Sequence, residues 1–425
     1  MKKLLLTCLL TAMSSAALAD KLAIVGGKVY TGTAQGTLEA ATVLIEDNKI
    51  VAVREGSNVP DGYDTIDATG KYVTPGLFGA YTQLGLVEVS SSAGTVDSSV
   101  SDSLISATGA AFDVSYAVNP DSSLMAISRV EGITSAATTV SRADTLLNGL
   151  GAVITLSGAA DSVLKPQAFM SVDVSNHGAD DNGGSRAALW VTLNQVIDEA
   201  KQFTGSAQLN PTNPWHGINS RADVKALQPV IEGAAPLLMF ADRAADIRQV
   251  IAFKKRYPQI KVVLVNAMEA WRVADELAAA DIPVILDPEF NLPGGFDQLG
   301  ATLANAARLH DAGVTIAIGM ETHNIRLATQ HAGNAVAFGL PWDAAMAALT
   351  VNPASIYNVS QQVGTLAQGA RADVVVWSGD PLEVTEAAEM VIIDGESIEM
   401  TSRQIKLQQR YQTRSQTKQT SQYIR

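Results

Sequence analysis

Pro75-Gly76-Leu77-Phe78-Gly79-Ala80-Tyr81-Thr82-Gln83-Leu84-Gly85 opens the section of the chain whose rhythm decides the fold. Residues 73–81 read as an apolar strand. Side chains alternate along a strand, so Tyr81 and Gln83, two apart, point to the same face. Downstream, seven more apolar strands are expected at residues 133–138, 152–156, 168–174, 237–241, 261–265, 284–287 and 314–319, separated by helical stretches such as 269–280 and 299–311. Gly313 supplies a stop for the second of these helices. Strands that alternate with helices argue for parallel pairing through crossover connections. Eight such units over roughly 280 residues predict a (β/α)8 barrel, whose interior is the face that Tyr81 and Gln83 share.

The flanks have a different period. Short strands at 22–30, 41–46 and 50–54, the last two joined by a turn at Asp47-Asn48, predict a small antiparallel sheet, and similar strands return at 372–377 and 390–394. The fold class is therefore α/β: a TIM-like barrel over residues 73–359 with a small discontinuous β-sandwich side domain made of 20–72 and 360–402. Residues 90–123 are rich in Ser, Ala, Gly and Asp and fit a lid over the barrel mouth or a mobile loop. Residues 403–425 carry six basic side chains and no acidic one. That basic polar tail suits a polar helix or a disordered arm.

Composition narrows the partners. Lys2 and Lys3, an apolar run over 4–12 and Ala17-Leu18-Ala19 before Asp20 form the three parts of a secretory signal, with cleavage expected after Ala19. The apolar run is too short to span a bilayer. The expected location is the periplasm or the outside of the cell. The only cysteine, Cys8, falls inside that signal, so the mature chain would depend on its core rather than on disulfides. Removing Lys2 and Lys3 leaves 28 basic against 43 acidic residues. A surface of that sign disfavours nucleic acid and anionic lipid.

Several motifs together resemble the amidohydrolase superfamily, and within it the imidazolonepropionase-like branch. Ile66-Asp67-Ala68-Thr69-Gly70-Lys71-Tyr72-Val73-Thr74-Pro75-Gly76-Leu77 is similar to the family's passage from side sheet to first barrel strand. Phe240-Ala241-Asp242-Arg243-Ala244-Ala245-Asp246-Ile247 resembles the region after the fifth strand. Val363-Gly364-Thr365-Leu366-Ala367-Gln368-Gly369-Ala370-Arg371-Ala372-Asp373 and the β-branched run after it resemble the return to the sheet. The resemblance implies a hydrolase lineage acting on carbon–nitrogen bonds other than peptide bonds. It also implies a divalent metal such as zinc, which lowers the pKa of its bound water to about 7.

The family's ligands are two histidines on the first strand (Pro-Gly-Leu-Ile-Asp-x-His-x-His-Leu-Gly), histidines ending the fifth and sixth, and an aspartate after the eighth. Carried over, those positions hold Tyr81 and Gln83, then Phe240, Asn266 and Glu321. Met170 falls about where a bridging lysine is sometimes found. Zinc takes thiolate, imidazole and carboxylate. No metal and no other cofactor is therefore expected.

Two functions stay open at this point. In the first, the protein is catalytically impaired or a non-catalytic subunit that binds a small molecule and pairs with itself or with an intact relative. In the second, it hydrolyses small amides, cyclic amides or dipeptide-like compounds, with Glu321 as base and His323 orienting or protonating. Tyr81, Gln83, Phe240, Arg243 and Asn266 are the candidate ligand-binding residues. Each has a plainer reading: Tyr81 and Gln83 fill space and bond each other, Phe240 packs, and Arg243 neutralises Asp242 or Glu269. Asp242, Glu269, Asp287 and Glu289 follow strands at the mouth and suit either a weak calcium or magnesium site or helix caps. Of the other histidines, His310 suits a helix C-terminus, His331 packing or surface, and His177 and His216 polar loops.

Overall fold

The computed structural model describes residues 21–92, 94–100, 104–203, 215–290, 292–319 and 325–417, with the side chains of 142 and 413–417 set aside. The signal segment, Glu321 and His323 lie outside the described residues.

Eight strands form a nearly closed barrel: β1 (Leu77–Thr82), β2 (Ile133–Thr138), β3 (Leu147–Thr155), β4 (Val163–Asp173), β5 (Leu237–Ala241), β6 (Val262–Asn266), β7 (Val284–Leu286) and β8 (Ile316–Ile318). They are bonded side by side in that order. β8 returns to β1 at Gly319, where an added Cβ would fall 2.8 Å from the Tyr81 backbone nitrogen and 3.2 Å from Ala80 Cβ. Only a residue without a side chain lets the two strand ends approach so closely.

The strand count matches the sequence reading, and the direction of one strand does not. β3 runs antiparallel to both β2 and β4. Its connections, residues 139–146 and 156–162, are too short for a crossover helix, and antiparallel neighbours need none. Reading only the last part of β3 as strand left gaps that looked long enough for helices. Gly151, inside β3, leaves room for the Phe169 ring of β4, whose Cζ lies 2.1 Å from where a Cβ would sit.

The expected first strand divides at Gly76. Tyr72–Pro75 belongs to the side sheet and Leu77–Thr82 to the barrel. The side sheet draws on both ends of the chain: Tyr72–Pro75 pairs antiparallel with Val374–Trp377 on one side and parallel with Lys21–Tyr30 on the other. Ile24, Val29, Val43, Val73, Val374 and Ile392 form its buried core.

The barrel has an apolar layer on each side of its wall. Outward-facing side chains such as Leu77, Ile133, Leu237 and Leu264 pack against the surrounding helices. Inward-facing Phe78, Tyr81, Val153, Phe169, Leu238, Phe240, Val263, Val265 and Ile285 fill the interior together with Tyr357 and Val359. Burying one such aromatic side chain stabilises the fold by about 2–3 kcal/mol.

The serine-rich stretch is pinned at its centre. Asp223, fully buried in the first turn of the helix Arg221–Ile231, accepts bonds from Ser106 Oγ (2.5 Å), Ala107 N (2.8 Å), Thr108 N (3.1 Å) and Ala111 N (3.1 Å). It also accepts from Ser220 N at 3.0 Å, completing a capping box. The basic tail takes the helical option over Arg403–Thr417. No helix among the described residues is long and apolar enough to cross a membrane.

Candidate functional site

The C-terminal ends of the barrel strands converge on two aromatic rings. Tyr81 near the end of β1 and Phe240 near the end of β5 meet edge to face, with centroids 5.1 Å apart and planes at 71°. Both are buried. This geometry sets the positive ring edge of one against the negative face of the other. Deeper in the interior, Tyr357 stacks on Phe78 at 5.9 Å and lies 4.9 Å from Phe169. Its hydroxyl donates to the Ala80 carbonyl at 2.5 Å, and burial raises its pKa well above the ordinary tyrosine range. Two groups of rings, Tyr81 with Phe240 and Tyr357 with Phe78 and Phe169, therefore occupy the barrel interior.

The remaining expected ligand-binding residues do not converge on those rings through any bond that defines a pocket. Gln83 lies one residue beyond β1, and its side-chain carbonyl accepts from Ser98 Oγ at 3.3 Å. Asn266 ends β6 with φ +69, and Ala267 follows at φ +58. Two successive left-handed residues without glycine are uncommon and cost on the order of 1–3 kcal/mol each. The turn is held by Asn305, whose Nδ2 donates to the Ala267 carbonyl at 2.9 Å and whose Oδ1 accepts from Trp271 N at 3.1 Å. This anchor also explains why the helix expected over 299–311 is confined to Asn305–Asp311.

Arg243 neither meets Asp242 nor serves Glu269 by direct pairing, and the expectation is corrected here. Its Nη2 bonds Asp246 Oδ1 at 2.8 Å, three residues on at the start of the next helix. That bond keeps the guanidinium pKa above its usual value. Asp246 is shared with Arg186 Nε at 2.9 Å, and Arg186 Nη2 reaches Asp297 at 2.5 Å. The cluster ties the loops after β4, β5 and β7 together.

The acidic residues at the mouth divide into two groups. Asp242 accepts from Met268 N (3.3 Å) and Gln298 Nε2 (2.9 Å), and burial raises its pKa. Glu269 accepts from Ala244 N (3.0 Å) and Gly300 N (2.8 Å). These two join loops and a helix start. Asp287 and Glu289 instead surround a histidine. His331 Nδ1 lies 2.8 Å from Asp287 Oδ1, and its Nε2 lies 3.3 Å from Glu289 Oε2. Asn334 donates to the other Glu289 oxygen at 2.6 Å.

This array went unnoticed in the sequence, where His331 read as packing or surface. His331 and Asn334 are three apart on the helix Ala328–Ala337, and so share a face, which is the signal that would have found them. His331 is buried; the side chain of Glu289 is 37% exposed, so the array ends in a carboxylate open to solvent. His177, expected in a polar loop, sits on the short helix Asn176–Asp181, with Nδ1 3.4 Å from Asp173 and 3.7 Å from Asp181. The cleft beside it has a volume of about 20 Å³, room for about one water.

Among the described residues no group of three or more histidine, cysteine, aspartate or glutamate side chains is arranged to hold a metal ion. The phenol, phenyl and carboxamide groups of Tyr81, Phe240 and Asn266 do not fit the donor chemistry of zinc, and the first two are engaged with each other.

Comparison with known proteins gives the same architecture. Residues 250–401 match the model of the Amidohydrolase family. A segment of 58 residues is 45% identical to the amidohydrolase tasK of Hapsidospora irregularis; it makes up 14% of this chain, and the chain spans only 6% of that relative's length. The crystal structure of an amidohydrolase from Thermotoga maritima superposes with a TM-score of 0.78 at 22% identity, covering 89% of this chain and 99% of its own. Molinate hydrolase (TM-score 0.55, 16% identity, 90% and 95% covered) and a Xaa-Pro dipeptidase with bound methionine (0.55, 16%, 89% and 100%) share the fold. The architecture is thus that of an amidohydrolase-like barrel with a side sheet.

Proposed function

We propose that this chain is an exported protein of the amidohydrolase lineage, from its imidazolonepropionase-like branch. In this reading aromatic packing has taken the place of the metal centre, and hydrolysis by a metal-bound hydroxide is lost. The protein then works as a binding or partner subunit, alone as a homodimer or beside an intact relative. The observation that carries this reading is the edge-to-face contact of Tyr81 and Phe240, at two positions where the family resemblance implies imidazoles. Two rings in van der Waals contact offer a transition metal no imidazole and leave no room between them.

The test is elemental analysis of the mature protein together with a screen against small amides, cyclic amides and dipeptides, with and without chelator. The expected result is less than one transition metal per chain and no chelator-sensitive turnover. One tightly held zinc, nickel or manganese per chain, or turnover that a chelator abolishes, would overturn it.

A second reading has one observation in its favour, the Asp287–His331–Glu289 array at the mouth. Here the protein keeps a metal-independent hydrolytic activity on small amides or dipeptide-like compounds. Glu289 would take a proton from the attacking water, with His331 orienting the carboxylate and Asp287 fixing the imidazole through Nδ1. Glu321 and His323 were the sequence's candidates for the same duties. Turnover lost in Glu289→Gln but insensitive to chelator would favour this reading over the first.

A further inference from the structure

The seam between the side sheet and the barrel contains a cleft of about 360 Å³ lined by Lys28, Glu39, Tyr72, Trp342, Asp343 and Asp380, with Thr37 at its edge. Its walls are aromatic. The rings of Tyr72 and Trp342 lie 6.0 Å apart at 51°, and Tyr30 backs the indole edge-on at 5.8 Å. Its rim is acidic. Asp380 accepts from Trp342 Nε1 through both oxygens, at 2.9 and 3.0 Å, which fixes the indole plane and holds the carboxylate beside it. Asp343 is tethered by Thr37 Oγ1 at 3.4 Å.

The cleft already contains one ammonium. Lys28 Nζ lies 5.2 Å from the Tyr72 ring centroid and 3.2 Å from Glu39. An aromatic face with a carboxylate beside it is the combination that recognises alkylammonium groups. Among the described residues Lys28 meets Tyr72 and Glu39, and no cation is paired with Asp343 or Asp380 or placed over Trp342. Three carboxylates against one ammonium leave the lining negative, and the whole chain, at −13, draws cations toward it.

We infer that this cleft is a binding site for a small organic cation carrying one or two alkylammonium groups, with Lys28 as its internal competitor. The volume suits a molecule of a few heavy atoms to a small drug. The site belongs to the side-sheet seam and does not depend on what the barrel mouth does.

Calorimetric titration of the full-length mature protein with 1,5-diaminopentane tests it, with 1,5-pentanediol as the uncharged probe of the same length. Saturable one-to-one binding of the diamine, and none of the diol, is expected. Asp343→Asn with Asp380→Asn should weaken it about tenfold, because these are the two carboxylates of the lining that Lys28 does not pair with. Lys28→Met should tighten it, because the competing ammonium has gone. Asp343 is exposed, so Asp343→Asn alone keeps the test valid should the double variant fold poorly. Absence of saturation, equal binding of the diol, affinity unchanged by the carboxylate substitutions, or weaker binding in Lys28→Met would each overturn the inference.

Discussion

The Tyr81 ring meets the Phe240 ring at 5.1 Å across the barrel, joining β1 to β5 without any backbone bond between them. The contact makes the upper interior part of the core rather than a solvent-filled site. Truncating Phe240 should therefore behave as a core cavity mutation. Phe240→Ala is expected to cost about 3–5 kcal/mol in chemical denaturation, whereas a residue lining an open pocket would cost well under 1 kcal/mol. A small loss would show that the ring is there for a ligand.

Asp223 holds the serine-rich stretch to the helix Arg221–Ile231. Burial pulls its pKa up, but the bonds from Ser106, Ser220 and Thr108 more than offset this and leave it below the ordinary carboxylate value. A lowered folded value means that the ionised form stabilises the fold above about pH 3.9, its unfolded value, and that this contribution fades as pH falls through the folded value. Asp223→Asn should cost about 2–3 kcal/mol at neutral pH, and the gap from the wild type should close on acidification. Hydrogen exchange at 106–111 should rise in the variant; unchanged protection would mean that other contacts hold the loop.

Asp242 has the opposite sign. Burial, more than any other cause, raises its folded pKa. Its neutral form fits the site best, so this contribution is complete below about pH 3.9 and is lost as pH rises through the folded value. Asp242→Asn mimics the neutral acid while still accepting from Gln298 or Met268. At pH 7 thermal melting should show no loss, and up to about 1 kcal/mol of gain. A loss as large as that of Asp223→Asn would mark Asp242 as a carboxylate needed in its ionised form.

His331 joins the β7 loop to the helix Ala328–Ala337 through two carboxylates. His331→Ala should destabilise by about 2–3 kcal/mol, since it takes the ring from Asp287, which is mostly buried and keeps the Glu289 N–H at 3.0 Å. Asp287→Asn should cost less, because an amide oxygen can still accept from the ring. Equal stability of His331→Ala and wild type would reduce the array to a chance proximity.

The sequence found part of each of the eight barrel strands as an apolar run, although the first expected strand reaches into the side sheet and β3 and β4 begin earlier than expected, and the side sheet was visible from its short strands at both ends of the chain. The antiparallel course of β3 was hidden. Asn148, Gly149 and Gly151 weaken the strand signal over its first half, and the gap then reads as space for a helix. Packing was one of two readings of Phe240, and the loop-joining bonds of Asp242 and Glu269 lay outside both readings of those residues, a cation site or helix caps. The partner of Arg243 was not legible: two acidic residues, Asp242 and Asp246, lie within reach in sequence, and the start of the helix Ala244–Arg256 selects the second. His331 was missed because its partners lie more than forty residues away, on another strand end.

Zinc content after equilibration tests the filled barrel most directly. The protein, purified without chelator, is dialysed against excess zinc and then against buffer, and the metal is counted by mass spectrometry. With Tyr81 and Phe240 closed on each other, the chain should retain well under one zinc. One zinc retained per chain, and lost when Tyr81 or Asn266 is replaced by alanine, would contradict the central claim.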